Sequence, residues 1–289
     1  MNLTNKIGAA VNEPQPLVNE PALIIGSALV LADLHLGIEH ELESSGITIP
    51  SQVDRRIDRA LQYLASAKAQ RFILLGDVQN TIPSTSALER HDIPHFLRSL
   101  AECAPVDIIC GNHDPGIKYW CPRDSRFPVE IHAKGCQING VGLVHGHAWP
   151  SISCLRCTYV IMGHNHPKVR LSDPLGHVTS KPVWVRTRFV ESVFRDRYPD
   201  LDGFANPRVI IMPAFNELLG GIAFNEESYE TLLGPLFSNQ AIELEKAQVY
   251  LLDGTYLGTI GQLRRIAPSH RKSFRTVSPR KKNARDARD

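Results

Sequence analysis

The chain predicts an α/β protein with a two-sheet core flanked by helices, and three observations carry that prediction. Apolar strands and amphipathic helices alternate along the first half. Several strands, RFILLGD among them, are continuous aliphatic runs, the pattern of strands covered on both faces. Beyond residue 129 strands outnumber helices, which fits two packed sheets better than one doubly wound sheet.

Taken in order, ALIIG and SALVLAD are short, closely connected strands. Ser51 caps a helix over 51–70, SQVDRRIDRALQYLASAKAQ, in which Val53, Ile57, Leu61 and Leu64 recur at helical spacing. RFILLGD is a core strand, a second helix falls within 84–102, and VDIIC leads as a strand into GNHDP. VEIHA, VGLVHGH and TYVIMGH are three further strands, followed by WVRTRFV and RVIIMPAF. FNEESYETLLGPL divides between loop and short helix, and QVYLLDGTYLGTI is a hairpin turning at Asp253-Gly254. One domain over 1–266 results, followed by a basic tail, 267–289, expected to be disordered.

Composition narrows the class. Of 289 residues, 43% are hydrophobic and 21% charged, the proportions of an ordinary globular protein. The net charge of +2 is too small to argue for nucleic acid, but its distribution is uneven. From Arg271 to Arg288 there are eight Lys or Arg and one acid, and KVRLSDPLGHVTSKPVWVRTRF carries five Lys or Arg against one Asp. Such segments raise affinity for phosphate backbones without sequence preference. No run approaches the roughly 18 apolar residues of a membrane span, and the N-terminus lacks the order of a secretory signal. A cytoplasmic protein with no membrane partner is therefore expected. The six cysteines do not form a disulfide framework, and the pair Cys154 and Cys157 reads as small buried hydrophobes rather than a redox or zinc site.

The chemistry lies in where polar residues fall. Five apolar strands end in a loop led by Asp, Asn or His: LVLADLHLG (Asp33, His35), ILLGDVQN (Asp77), IICGNHDP (Asn112, His113, Asp114), GLVHGHAW (His145, His147) and VIMGHNHP (His164, His166). One histidine or one GD is ordinary turn chemistry, but five such ends imply a common cluster at the carboxyl edge of the sheets. Oxygen and imidazole donors without thiolate suit Mn2+, Fe or Zn2+; Mn2+ is favoured and Ni2+ is admissible. The ligands are too many for one ion, and with Asp77 bridging they divide between two ions about 3.5–4 Å apart. His164 and His166, two residues apart, share a face and turn Asn165 away.

The order D-x-H, GD, GNHD, HGH and GHNH, over residues 33 to 166, resembles the calcineurin-like metallophosphoesterases. ADLHLGIEHELESSGITIP and IIMPAFNELLGG are similar, more narrowly, to archaeal SbcD-related phosphoesterases and to bacterial phosphoesterases associated with a DNA ligase and a helicase. The resemblance implies a four-layer α/β/β/α sandwich with two metals. In it, Asp33, His35, Asp77 and His166 hold one ion, and Asp77, Asn112, His145 and His164 the other. It also implies that His113 is the acid near the leaving group, oriented by Asp114, and that a helicase or repair protein is a partner.

Two cations lower the pKa of a shared water, so that hydroxide can attack phosphorus near neutral pH, and they offset the charge that builds up. His147 is expected near the phosphate, and His40 in a loop bordering the substrate. The expected activity is phosphodiester hydrolysis on nucleic acid or a nucleotide. A small-molecule phosphomonoesterase or cyclic-nucleotide phosphodiesterase is the alternative, and a catalytically silent metal-binding scaffold ranks last.

Overall fold

An aliphatic run becomes a central strand only where apolar cover exists on both faces, and both faces are covered here. The structure, a computed structural model, describes residues 13–82, 86–173, 175–199 and 201–266. The first sheet holds β1 (Gln15–Pro16), β2 (Ala22–Ile25), β3 (Ala28–Ala32), β4 (Arg71–Leu75), β5 (Val106–Ile109) and β6 (Val129–His132), in that spatial order. β1 to β3 pair antiparallel, and β3 to β6 run parallel.

The second sheet begins with β7 (Cys136–Ile138), β8 (Val141–Leu143), β9 (Tyr159–Met162), β10 (Pro167–Ser172) and β11 (Val178–Arg188). It is completed by β12 (Arg208–Ile211), β13 (Ile222–Ala223), β14 (Gln248–Leu251) and β15 (Tyr256–Thr259). Its path is β13-β10-β11-β12-β9-β8-β7, with β14 also on β11 and β15 beyond it.

Alternation along the strands assigns the layers. In the first sheet Leu29, Leu31, Phe72 and Leu74 join a core with α2 (Val53–Ser66) and α3 (Ala87–Ala101). α1 (Ile38–Ser44) precedes both helices in the chain. Their neighbours Val30, Ala32, Ile73 and Leu75 turn the other way, onto Tyr159, Ile161, Trp184 and Ile210 of the second sheet. Val160, Met162, Val209 and Ile211 face the outer layer formed by α4 (Ile152–Leu155), α5 (Glu191–Arg197), α6 (Pro235–Ser238) and α7 (Ile260–Ile266). The result is the α/β/β/α sandwich that the motif resemblance implies.

Several elements differ from expectation, and three bear on the layers. The helix expected over 51–70 runs only from Val53 to Ser66. Ser51 Oγ accepts from the Val53 N–H at 3.2 Å, and past Ser66 the chain turns into the left-handed region at Lys68. β11 starts well before WVRTRFV, because its first half pairs with β10 and its second half with β12 and β14. α7 has no counterpart in the expected elements and closes the outer layer with Ile260 and Leu263. Cys154 and Cys157 are buried free thiols, as read. The basic tail, 267–289, lies outside the described residues.

Candidate metal centre

Strand register brings the five motifs together. Ala32 pairs with Leu75 and Leu75 with Ile109, so the loops carrying Asp33, Asp77 and Asn112 leave the first sheet side by side. Leu143 pairs with Ile161, which sets His145 beside Gly163 and His164 in the second sheet. The two sheet edges are joined through Asp33, whose Oδ1 and Oδ2 accept from the His164 N–H at 3.0 and 3.1 Å. The close approach constrains the motif glycines. A Cβ on Gly111 would collide with the Asp77 carboxylate, and one on Gly76 with the His145 ring.

Three overlapping groups of donors form at this junction: Asp33, His35 and His166; His35, Asp77 and His113; and Asp77, His145 and His164. His35 Nε2 lies 3.5 Å from Asp77 Oδ2, His145 Nε2 lies 3.2 Å from the same oxygen, and His166 Nε2 is 3.4 Å from Asp33 Oδ1. None of these approaches has hydrogen-bond geometry, so all three Nε2 atoms are buried without a partner. Buried polar atoms seldom stay unsatisfied. Here the satisfied side is Nδ1: that of His35 donates to Asn80 Oδ1 at 3.2 Å, and that of His145 to the Leu75 carbonyl at 3.2 Å. With Nδ1 engaged, Nε2 is the ring atom that His35 and His145 turn to the carboxylates, the arrangement of metal-ligating histidine. The residues fit a pair of cations.

The charge balance agrees. Burial pushes His35 and His164 down to about 4, which keeps the imidazoles neutral and able to ligate. Burial opposes the charge of Asp33 and Asp77, yet His166 beside the first and His145 beside the second hold both carboxyls below their usual range. Burial likewise opposes the charge of His145, but the Asp77 carboxylate outweighs it and raises that ring to about 9. Asp77 and His145 behave as a carboxylate answered by the nearest proton.

The remaining motif residues take definite places. Asn112 is exposed at the tip of the loop, flanked by Gly111 against Asp77 and by His113, whose N–H donates to Asp77 Oδ1 at 2.9 Å. His113 Nδ1 donates to the Asn80 carbonyl at 2.6 Å, and its ring sits 4.9 Å from that of His35. The expected contact of Asp114 with His113 is not made. Asp114 Oδ1 accepts from the Val78 and Gln79 N–H groups at 2.8 and 3.1 Å, and Oδ2 from Gly111 N–H at 2.8 Å. The residue therefore staples the Asp77 loop to the Asn112 loop, and the Asn80 carbonyl orients His113.

His147 is half-buried beside His145, with ring centroids 5.3 Å apart, and its Nδ1 is buried and unpartnered. His40 stands apart on the exposed side of α1, 3.8 Å from Glu43, and joins none of the donor groups. Asn165 turns away from the donors, as its spacing predicts. It exchanges two hydrogen bonds with the Leu233 backbone, at 3.1 and 2.8 Å.

Several supporting residues escaped sequence reasoning. Asn80 holds both His35 and His113, and its only signal was a place three residues after Asp77. Glu39, in the first turn of α1, is buried and ion-paired to buried Arg56 at 2.7 Å. Arg56 also donates to Asn216 Oδ1 at 2.8 Å, and Asn216 Nδ2 donates to the carbonyls of Leu34 and His35 at 2.7 and 3.2 Å. The segment MPAFNELLGG thus clamps the D-x-H loop from behind.

A cavity opens on each side of the donor set. One, of about 390 Å3, is lined by His145, His147, Trp149, Tyr198 and Lys134. The other, of about 340 Å3, is lined by His166, Lys168, Arg59 and Phe215.

No family model matches the chain. Among solved structures it is similar to the nuclease MPE of Pseudomonas putida, at 18% identity and a TM-score of 0.47, over 85% of this chain and 100% of that one. It is also similar to Yfce, a phosphoesterase from E. coli, at 17% identity and a TM-score of 0.31, over 50% of this chain and 73% of that one. The four-layer sandwich and the clustered donors described above agree with the metallophosphoesterase resemblance carried by the motif order.

Proposed function

We propose that this chain is a two-metal phosphoesterase that cleaves phosphodiester bonds of nucleic acid or of a nucleotide. The observation that carries the reading is the set of three buried, unpartnered Nε2 atoms, of His35, His145 and His166, facing the carboxylates of Asp33 and Asp77. One ion is assigned to Asp33, His35, Asp77 and His166, and the other to Asp77, Asn112, His145 and His164, with Mn2+ as the favoured metal. A bound pair of divalent cations supplies an activated water near neutral pH and neutralises phosphate charge.

The chain's own groups do the rest. His113, fixed through Nδ1 on the Asn80 carbonyl, is the group assigned as acid to the departing oxygen. His147 offers its ring to a phosphate oxygen from the wall of the larger cavity. Asp114 keeps the Asp77 and Asn112 loops in register. The two cavities favour a diester, since a monoester would fill only one of them. If DNA is the substrate, the resemblance carried by the motif order suggests a place in DNA repair beside a helicase.

The test is hydrolysis by the purified protein with Mn2+ of bis-p-nitrophenyl phosphate, p-nitrophenyl phosphate and single-stranded DNA, with Asp77→Ala as control. Turnover of the diester and of DNA, lost in the variant together with bound metal, is expected. Turnover of the monoester alone overturns the diester reading, and absence of retained metal overturns the two-metal reading.

A further inference from the structure

A second concave site lies away from the metal centre. A cavity of about 350 Å3 is lined by Arg186, Arg188, Arg208 and Lys246, against two acids, Glu13 and Glu243. Glu243 is already engaged by Lys246 at 2.8 Å. The site is at the opposite end of the second sheet. Arg208 pairs with Tyr159, the first residue of β9, whereas His164 follows the last. At about 3.3 Å per strand residue, Tyr159 and His164 are roughly 16 Å apart.

The strands aim these arginines at one another. Arg186 and Arg188 share a face with Trp184, and Arg208 shares one with Ile210; both faces turn toward the first sheet. Arg188 and Arg208 are cross-strand partners. Like charges directly opposite in a sheet destabilise it unless something answers them. Among the described residues no carboxylate lies within 4.0 Å of any of the three guanidiniums. Arg188 donates to the Asn206 carbonyl at 2.8 Å, and Arg208 to the Tyr159 hydroxyl at 2.9 Å. Arg186 lies over the Tyr250 ring at 5.1 Å, and its Nε is buried without a partner. Each arginine is thus positioned by a neutral group, with its charge unanswered. Planar guanidinium forks are the side chains best matched to phosphate oxygens.

We propose that Arg186, Arg188 and Arg208 form a phosphate-binding exosite, separate from the metal centre. It takes a phosphate group carried by a nucleic-acid strand or by a phosphorylated small molecule. The site does not depend on the metal-centre reading, because none of its residues belongs to a donor group.

The experiment compares the full chain with R188A/R208A in two arms. One titrates a phosphorothioate thymidine 20-mer across a salt series, and the other titrates inorganic phosphate by calorimetry. Phosphate bound at the metal centre is common to both proteins, so their difference reports the exosite. Two lost contacts to a single strand lower the salt slope by about 1.4. Weaker 20-mer binding with that lower slope supports the exosite and identifies a strand as its ligand. Loss of phosphate binding alone supports it with a small phosphorylated ligand. Unchanged binding in both arms overturns it. Arg188 and Arg208 are exposed, so the variant keeps its fold, as an unshifted Tm verifies. Arg186→Gln provides a second variant and is expected to move the same arm.

Discussion

Asp114→Ala separates two roles that the same residue could play. Asp114 is 3% exposed and accepts from three backbone N–H groups, those of Val78, Gln79 and Gly111. One buried donor left unsatisfied costs about 1–3 kcal/mol, so three give an upper range of roughly 3–9 kcal/mol. Entering water and loop relaxation recover part, leaving an expected loss of ~3–5 kcal/mol. At about 2–4 °C per kcal/mol for a large domain, Tm falls by roughly 6–20 °C in calorimetry. Asp114→Asn keeps acceptance at one oxygen but turns an amide donor toward the Gly111 N–H, so it loses ~1–3 kcal/mol. Because the staple holds Asp77 and the Asn112 loop, Mn2+ affinity by titration calorimetry drops about 10–100-fold in the alanine variant. A role through His113 has a different signature: an altered pH–rate profile with Tm and metal affinity unchanged. That result would refute the stapling argument.

Three further outcomes follow from the geometry. Arg56→Ala leaves the Glu39 carboxylate buried and unpaired, and calorimetry should register a loss of about 3–5 kcal/mol, most of which Arg56→Met combined with Glu39→Leu restores. Asn80→Ala removes the acceptor for His35 Nδ1 but keeps the backbone carbonyl under His113. Mn2+ titration should show about 10–100-fold weaker binding, and unchanged affinity would deny Asn80 its orienting role. Chelation of the loaded protein should lower Tm, since metal at a hundred times its Kd adds about 2.7 kcal/mol; equal Tm values with and without chelator would count against resident metal.

How far the molecule could be read before folding depended on the range of each interaction. Val53 and Ile57, or the alternation of Val30 and Leu31, report burial by local period, so helices and layers were readable from short windows. The donor set was readable because each ligand follows an aliphatic strand within a few residues, as Asp77 follows RFILLG. What could not be read joins distant residues through backbone atoms. Asp114 reaches the Val78 N–H, Asn80 offers a main-chain carbonyl to His113, and Asn216 holds His35 from 181 residues away. Backbone donors and acceptors are the same at every position, so no residue type announces such contacts. His40 was singled out by sequence proximity alone. It follows the motif closely in sequence, but the turn into α1 carries it to the exposed side.

The backbone itself explains why the site needs this support. Asp33, His35, Asp77, His164 and His166 all adopt positive φ, between 41° and 73°. Non-glycine residues reach that region at a cost on the order of 1 kcal/mol each, and Asp and His are among the side chains that tolerate it best. Five such residues together represent roughly 5 kcal/mol, a large share of the stability of an ordinary domain. They persist because the surroundings over-determine them. The His164 N–H is held by Asp33, the His35 N–H by the Asp77 carbonyl at 2.8 Å, and the Phe215 N–H by the Ala32 carbonyl at 2.7 Å. The left-handed turns aim side chains from two sheets at one point, where three unpartnered Nε2 atoms meet two carboxylates. An arrangement strained in its backbone and unsatisfied in its side chains is unfavourable in isolation. Binding of cations resolves the second deficit, which ties the geometry of the fold to the occupancy of the site.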